Sequence, residues 1–536
     1  MKKCKHSEAS SRLWSLRLIM TIVCSAVIIQ LANSAASSEY REAAAAQGNY
    51  KLKLPVSFGT IYDRNGMPLV NRYSKHIAVL NGDGESASKV FAYVKDREEF
   101  SEKLRECVPF TCELDESKDI PEDILQFDVP ERYDEPQIAQ HIIGYMQENK
   151  GVCGLESDYD ELLRLDRGQT TITFPVDGTG SALSGENAFI RYAPKASQGV
   201  VTTLDMGIQL ICEKASNSLE KGAVIVMDTQ SGDILGLVSR PTYSLQNMEE
   251  ALSSEDSPLI NRALYSYPVG SIFKLVTAAA AIDNGYEDFT YECTGSIEIE
   301  TQTFACHDRE GHGMLDLDMA LINSCNPYFI AISSKISPLD LFETAAGLGF
   351  GREIDLSDSI CGDSGYLPDV QELMLPAERG NFSFGQGKLT ATPLQVARMT
   401  SAIANGGILP NVRLVAGETE DGSVDSVDKW EKGERVLSEE TSEKLRKMMI
   451  GVVYGSSSFN GRPEGVSAGA KTSTAQTGRF DENGEEYCHG WVTGFFPAYD
   501  PRFTVTVLAE DAGYGNDAAA PVFREIIESM RDYVRH

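Results

Sequence analysis

Tyr267-Pro-Val-Gly-Ser271-Ile-Phe-Lys274-Leu-Val-Thr-Ala-Ala-Ala-Ala-Ile-Asp283 is the stretch on which the reading of this chain turns. After a Pro-Val-Gly turn it sets a hydroxyl and an amine three residues apart at the head of an almost wholly apolar helix. Residues at i and i+3 share a helix face, so the amine can reach the hydroxyl. A helix that is apolar all round belongs in a core, where an ammonium is disfavoured and a lysine can act as a base. The helix N-terminus adds partial positive charge and free N–H groups at the same place. Nucleophile, base and electropositive end together suit acyl transfer through a serine ester.

A Ser-x-x-Lys pair alone carries little weight, because the chain holds three others: Ser86/Lys89, Ser218/Lys221 and Ser426/Lys429. Their neighbours are polar or charged, so their lysines should stay hydrated and protonated. What singles out Ser271/Lys274 is the company it keeps. Ser324-Cys-Asn326 follows 53 residues later, inside an apolar stretch expected to be helical over 319–335. Lys471-Thr-Ser-Thr474 comes 147 residues after Ser324, in an expected strand over 467–477. A Ser-x-x-Lys, Ser-x-Asn, Lys-Thr-Gly trio in that order is shared by penicillin-binding proteins and class A β-lactamases.

With these residues the chain resembles a class B penicillin-binding protein, a membrane-anchored peptidoglycan D,D-transpeptidase. Thr60-Ile-Tyr-Asp-Arg-Asn-Gly66, His141-Ile-Ile-Gly144 and Gly154-Leu-Glu156 are similar to segments of that family's N-terminal pedestal domain. Gly222-Ala-Val-Ile-Val-Met-Asp228, His312-Gly313 and Ser383-Phe-Gly-Gln-Gly387 are similar to stretches of its transpeptidase domain. The resemblance implies an α+β fold: an antiparallel sheet covered by helices, of the penicillin-binding and β-lactamase type, with a mixed α/β pedestal and one transmembrane helix. It also implies roles. Ser271 would attack D-Ala-D-Ala, Lys274 would take its proton, Ser324 would relay a proton to the leaving group, and Asn326 would hold Lys274 and the substrate amide. Lys471 and Thr472 would bind the substrate carboxylate, and the N–H groups of Ser271 and Thr474 would form an oxyanion hole. Ser473 stands where the family has Gly; it would share a strand face with Lys471 and could narrow the site.

The rest of the chain fits export. Lys2, Lys3, Lys5, Arg12 and Arg17 precede an apolar run from Leu18 to Ala36. An uncleaved anchor is expected, its basic flank cytoplasmic and the remainder outside; the small residues Ala32-Asn-Ser-Ala-Ala36 supply the competing reading, a cleaved signal peptide. The expected order is a cytoplasmic segment 1–17, an anchor 18–36, a pedestal with linker 37–198 and a transpeptidase domain 199–536. A net charge of −31 repels phosphate backbones and sets nucleic acid aside as a partner. The partners implied are stem peptides, β-lactams and membrane proteins of wall synthesis such as a glycosyltransferase.

Export makes disulfides possible among the 11 cysteines, with Cys293–Cys306 and Cys107–Cys112 as local candidates. No Cys-x-x-Cys occurs, so neither metal nor cofactor is expected. His307 and His312 read as structural and Cys325 as a small filler. A serine hydrolase of carboxypeptidase or β-lactamase type would use the same motifs with water as acceptor, and a catalytically weak scaffold of a wall-synthesis complex is the rival outside enzymes.

Overall fold

The apolar run from Gly222 is buried on both faces and forms an interior strand of the main sheet. In a computed structural model, β1 (Gly222–Asp228), β2 (Ile234–Arg240), β3 (Gly469–Phe480), β4 (Glu486–Phe496) and β5 (Phe503–Ala509) form one sheet in the order β2-β1-β5-β4-β3. All its pairings are antiparallel. The structure describes residues 4–37, 48–115, 117–118, 120–121, 124–165, 168–183, 187–192, 198–424, 429–456 and 458–535. Ser426 and residues 38–47 at the start of the expected pedestal-with-linker lie outside them.

Because side chains alternate along a strand, Ala223, Ile225 and Met227 enter one core and Val224 and Val226 the other. The helices that matter to the site are α1 (Met206–Ala215), α2 (Lys274–Asp283), α3 (Leu317–Ile322), α4 (Asn326–Ser333), α5 (Pro393–Ala404), α6 (Glu439–Gly455) and α7 (Ala520–Ser529). α1 and α7 supply Ile208, Cys212, Val522, Phe523 and Ile526 to the second core. α5 lies against the first; every residue of it but Arg398 is buried. Its hydroxyls are satisfied by the sheet: Thr400 meets Thr493 at 2.7 Å and Ser401 meets Thr504 at 2.8 Å. The reciprocal Thr392/Gln395 capping box and Pro393 start α5 where the sequence leads one to expect it.

By packing, the chain separates into two compact units. One comprises Met1–Phe58, Tyr73–Glu131 and Arg167–Lys195, the other Gly59–Arg72, Arg132–Asp166 and Ala196–His536. The first is mixed α/β. It holds Tyr73–Leu80 paired between Phe110–Glu113 and Gln126–Glu131, a second sheet of Asn49–Lys53, Thr171–Pro175 and Phe189–Arg191, and helices Gly84–Val90 and Arg97–Arg105. In the second unit the strand Thr60–Tyr62 runs parallel to Gly199–Thr202. The Asp63 carboxylate closes the following turn by accepting from the N–H groups of Asn65 and Met67, and accepts a third bond from Met206 N–H at 3.0 Å. Compactness thus groups 59–72 and 132–166 with the sheet, whereas the expected boundary at 198/199 follows the chain.

The N-terminal helix spans Cys4–Ala36. Its segment Ser11–Ser34, with mean hydropathy 2.0, is the one stretch among the described residues long and apolar enough to cross a membrane. The helix expected over 319–335 is interrupted: α3 ends at Ile322 and α4 begins at Asn326. Pro327 lacks the N–H and the space that a continuous helix needs, and the chain between adopts a helix-stop geometry described below. The local disulfides are not formed; Cys107, Cys112, Cys293 and Cys306 are all free.

Candidate active site

Gly270–Phe273 forms one 3-10 turn, and Lys274 opens α2. In such a turn residues at i and i+3 eclipse, which stacks Lys274 on Ser271. Residues Lys274 to Ile282 are all buried. The Ser383–Gly387 stretch holds this turn in place: Gly270 N–H donates to Gly385 O at 2.8 Å and Thr277 Oγ1 to Ser383 O at 2.8 Å. Phe273 packs edge-on against Phe382, with ring centroids 4.6 Å apart.

Lys274 is 0% exposed. Its Nζ lies 2.6 Å from Ser324 O, 2.7 Å from Asn326 Oδ1, 2.9 Å from Ser271 Oγ and 3.0 Å from Ser324 Oγ. The two closest partners are carbonyl oxygens, which can only accept. A neutral amine has two N–H bonds and one lone pair, so the carbonyls can take both donors and leave the lone pair for the Ser271 hydroxyl. Protonation is opposed in the same place: burial first, and then the nearby Lys471 charge, hold the Lys274 pKa well below its ordinary value.

Ser324 has φ +53°. Its N–H donates to Leu321 O at 3.2 Å, and Cys325 N–H to Ala320 O at 2.9 Å. This is a Schellman stop for α3 with a serine at the left-handed position that usually takes glycine. Strain of this kind persists where function needs a side chain; here the hydroxyl it projects sits 3.0 Å from Lys274 Nζ and 3.1 Å from Lys471 Nζ. Asn326, the first residue of α4, faces the same amine, and its Nδ2 reaches toward Ala305 O at 3.5 Å.

Lys471, Thr472, Ser473 and Thr474 lie on β3, an edge strand that among the described residues pairs with β4 alone. Lys471, Ser473 and Ala475 are buried, while Thr472 and Thr474 are half-buried. Lys471 is 1% exposed, and burial lowers its pKa to about 7. Its Nζ also donates to Thr472 O at 2.8 Å. A cavity of about 440 Å³ runs along this edge, lined by Ser271, Ser324, Asn326 and Lys471–Thr474. The structure therefore brings all eight residues singled out in the sequence to one place. It adds an apolar side, Ile322, Val452 and Phe459, and a rim containing Tyr514 and Asn516, which no motif announced. The competing pairs differ as expected: Lys89 pairs with Glu85 and Lys221 with Asp256 at partly exposed positions.

Residues 222–528 match the family model described as the penicillin binding protein transpeptidase domain. The chain belongs to the penicillin-binding protein transpeptidase family. It is 31% identical to stage V sporulation protein D of Bacillus subtilis over 417 residues, which is 73% of this chain and 62% of that protein. It is 25% identical to the peptidoglycan D,D-transpeptidase MrdA of Acinetobacter baumannii, over 88% of this chain and 80% of that one. Among solved structures, the penicillin-binding protein PBP2 of Helicobacter pylori, in complex with MreC, shares the fold with TM-score 0.64 and 21% identity, over 91% of this chain and 99% of that chain.

In this penicillin-binding family member a second set of groups lies beside the site. Cys293, Cys306, His312 and Cys325 bring one donor atom each to within 4.8 Å of one another. They come from a strand end, the residue after a strand, a loop and the N-cap of α4. Cys306 Sγ and His312 Nδ1 are 3.4 Å apart. The Cys306 thiol is held well below its ordinary range, chiefly by its hydrogen bond with Cys325. Three thiols and an imidazole at this spacing match the donor set of a tetrahedral zinc site. No metal is expected from the sequence, because spacing along the chain does not bring these four together.

Proposed function

We propose that the chain is a membrane-anchored peptidoglycan D,D-transpeptidase working through an acyl-enzyme on Ser271. Ser271 Oγ bonds to the carbonyl carbon of the penultimate D-Ala as its proton passes to Lys274 Nζ. The amide C–N bond breaks, and the terminal D-Ala leaves as an amine, protonated by way of Ser324. The amine of a second stem peptide then attacks the ester, surrenders a proton to the same lysine and serine pair, and releases Ser271 with its hydroxyl restored. Asn326 holds Lys274 and the substrate amide, Lys471 and Thr472 take the substrate carboxylate, and the N–H groups of Ser271 and Thr474 face the developing oxyanion.

The observation that carries this reading is the buried Lys274 amine, 2.9 Å from Ser271 Oγ with two obligate acceptors on its other side. Residues 199–536 carry the chemistry, 37–198 serve as pedestal and linker, 18–36 anchor the chain, and 1–17 stay cytoplasmic. The Helicobacter protein's complex with MreC, and a peptidoglycan synthase complex of the same fold that coordinates polymerization and crosslinking, support wall-synthesis proteins as partners here, a glycosyltransferase among them. β-Lactams, as acyl donors, should acylate the same serine. Intact-mass analysis after adding penicillin tests the proposal. A persistent adduct of one whole penicillin, absent from Ser271→Ala, is expected. No adduct would overturn it, and rapid turnover to hydrolysed drug would place the chain with the hydrolases.

A further inference from the structure

Ser473 is 3% exposed, lines the cavity beside Ser271, and its Oγ is a buried polar atom with no hydrogen-bond partner among the described residues. Buried hydroxyls are nearly always paired, and an unpaired one is unfavourable. The nucleophile turn is shaped around it. A Cβ at Gly270 would come within 2.4 Å of Ser473 Oγ and 3.2 Å of Ala475, and Gly270 has φ +56°. The residue before the nucleophile thus has no side chain, and the serine hydroxyl occupies that space. Its neighbours along β3 are already engaged: Lys471 Nζ with Ser324 and Thr472 O, and Thr474 Oγ1 with Gly515 N–H.

We propose that Ser473 is a substrate-contacting residue whose hydroxyl donates to an oxygen of the acyl donor, so that its hydrogen bond is completed only when the cavity is filled. Ser473 lines the cavity and its Oγ is free to rotate between staggered χ1 wells; the acceptors an acyl donor brings beside it are its carbonyl and carboxylate oxygens. The serine then selects for acyl donors that present an oxygen at this point of β3. The inference rests on the acyl-transfer reading.

The test uses the full chain in detergent micelles and a fluorescent penicillin, with the saturation constant and limiting rate of acylation measured separately for wild type, Ser473→Ala and Ser473→Gly. Alanine keeps the Cβ and removes only the hydroxyl, so hydrogen bonding and steric obstruction predict opposite signs. Ser473→Ala should acylate about three- to tenfold more slowly, the range one hydrogen bond commands, with an unchanged or raised Tm because the unpaired group is gone. Ser473→Gly should be at least as slow. Acylation of Ser473→Ala or Ser473→Gly at or above the wild-type rate would overturn the proposal, as would a slowdown accompanied by a lowered Tm, which reports packing. Failure of the wild type to label would sink the acyl-enzyme reading and this inference with it; failure of the inference alone leaves wild-type labelling intact.

Discussion

Lys274 Nζ sits 2.9 Å from Ser271 Oγ, while Ser324 O and Asn326 Oδ1 lie closer to the same nitrogen, at 2.6 and 2.7 Å. The order of these distances sets the protonation the site needs: carbonyls take the N–H bonds and the hydroxyl faces the lone pair. With the Lys274 pKa held well below its ordinary value, the neutral amine is present at lower pH than in a solvated lysine. The acylation rate should therefore level off well below pH 10.5, falling only as acid protonates the amine. A rate still climbing about tenfold per pH unit between pH 9 and 10 would show an ordinary, charged lysine. Lys274→Arg, which cannot give up its proton, should lose at least about a hundredfold in acylation rate, the lower end of general-base contributions.

Ser324→Gly separates folding from chemistry. Glycine adopts φ +53° freely, so removing the left-handed penalty of about 1–2 kcal/mol, less the greater chain entropy of glycine, should leave stability equal or slightly raised. The variant also deletes the hydroxyl between Lys274 and Lys471. Penicillin acylation should fall at least tenfold, with Tm unchanged or higher. A variant that is both less stable and fully active would contradict the assignment.

Gly270→Ala tests the fit of the nucleophile turn against β3. The new methyl meets Ser473 Oγ at 2.4 Å and the backbone must hold φ +56°. The conformational part should cost about 1–2 kcal/mol and the contact more, measured by urea unfolding. Combining it with Ser473→Gly should return the steric share and leave the conformational one, so the two changes are non-additive. Simple additivity would mean that the two residues do not share this space.

Much of this site was legible in the sequence because its chemistry is carried by residue types that apolar surroundings do not ordinarily hold. A serine and lysine heading an apolar helix, and a second lysine within a strand, stand out whatever their tertiary partners. Other features were not legible. The break at Ser324 falls in Asn323-Ser-Cys-Asn326, weak helix formers ahead of Pro327, inside an apolar stretch that reads as one helix; the left-handed turn at Ser324 itself is imposed by the site. The grouping of 59–72 with Gly199–Thr202 depends on a parallel pairing across a long stretch of chain, for which periodicity carries no signal. Cys293 and Cys306 looked like a local disulfide because they flank a hairpin (Ser296–Ile299 with Gln302–Ala305). Yet their nearest sulfur and nitrogen neighbours include Cys325 and His312, which only the fold supplies.

Lys471 should mark the pH dependence of stability. Burial lowers its pKa to about 7 in the folded chain, from an ordinary value of 10.5. Between these values the unfolded lysine binds a proton that the folded one does not, so stability rises with pH across the window from about 7 to 10.5 and is flat with respect to this group below it. Lys471→Met should raise the urea midpoint at pH 7 and reduce the slope between pH 7 and 9. It should also raise the Lys274 pKa, since the Lys471 charge is one of the causes of that depression. An identical slope in the variant would show that Lys471 stays charged when folded.

Cys293, Cys306, His312 and Cys325 predict a further measurable property. Four donors within 4.8 Å need to contract only modestly to reach Zn–S distances of about 2.3 Å and Zn–N of about 2.0–2.1 Å around one ion. Protein purified under reducing conditions should bind one equivalent of Zn²⁺. Co²⁺ in its place should give the thiolate charge-transfer absorption and visible bands of a tetrahedral site. Because Cys325 lies between Ser324 and Asn326, an ion there would brace the turn that presents both to Lys274. Chelation should accordingly lower Tm and slow penicillin acylation together, and His312→Ala should do the same while abolishing the cobalt spectrum. Cobalt bands that persist in His312→Ala, or a Tm indifferent to chelator in protein shown to carry the metal, would exclude this cluster as a structural metal centre.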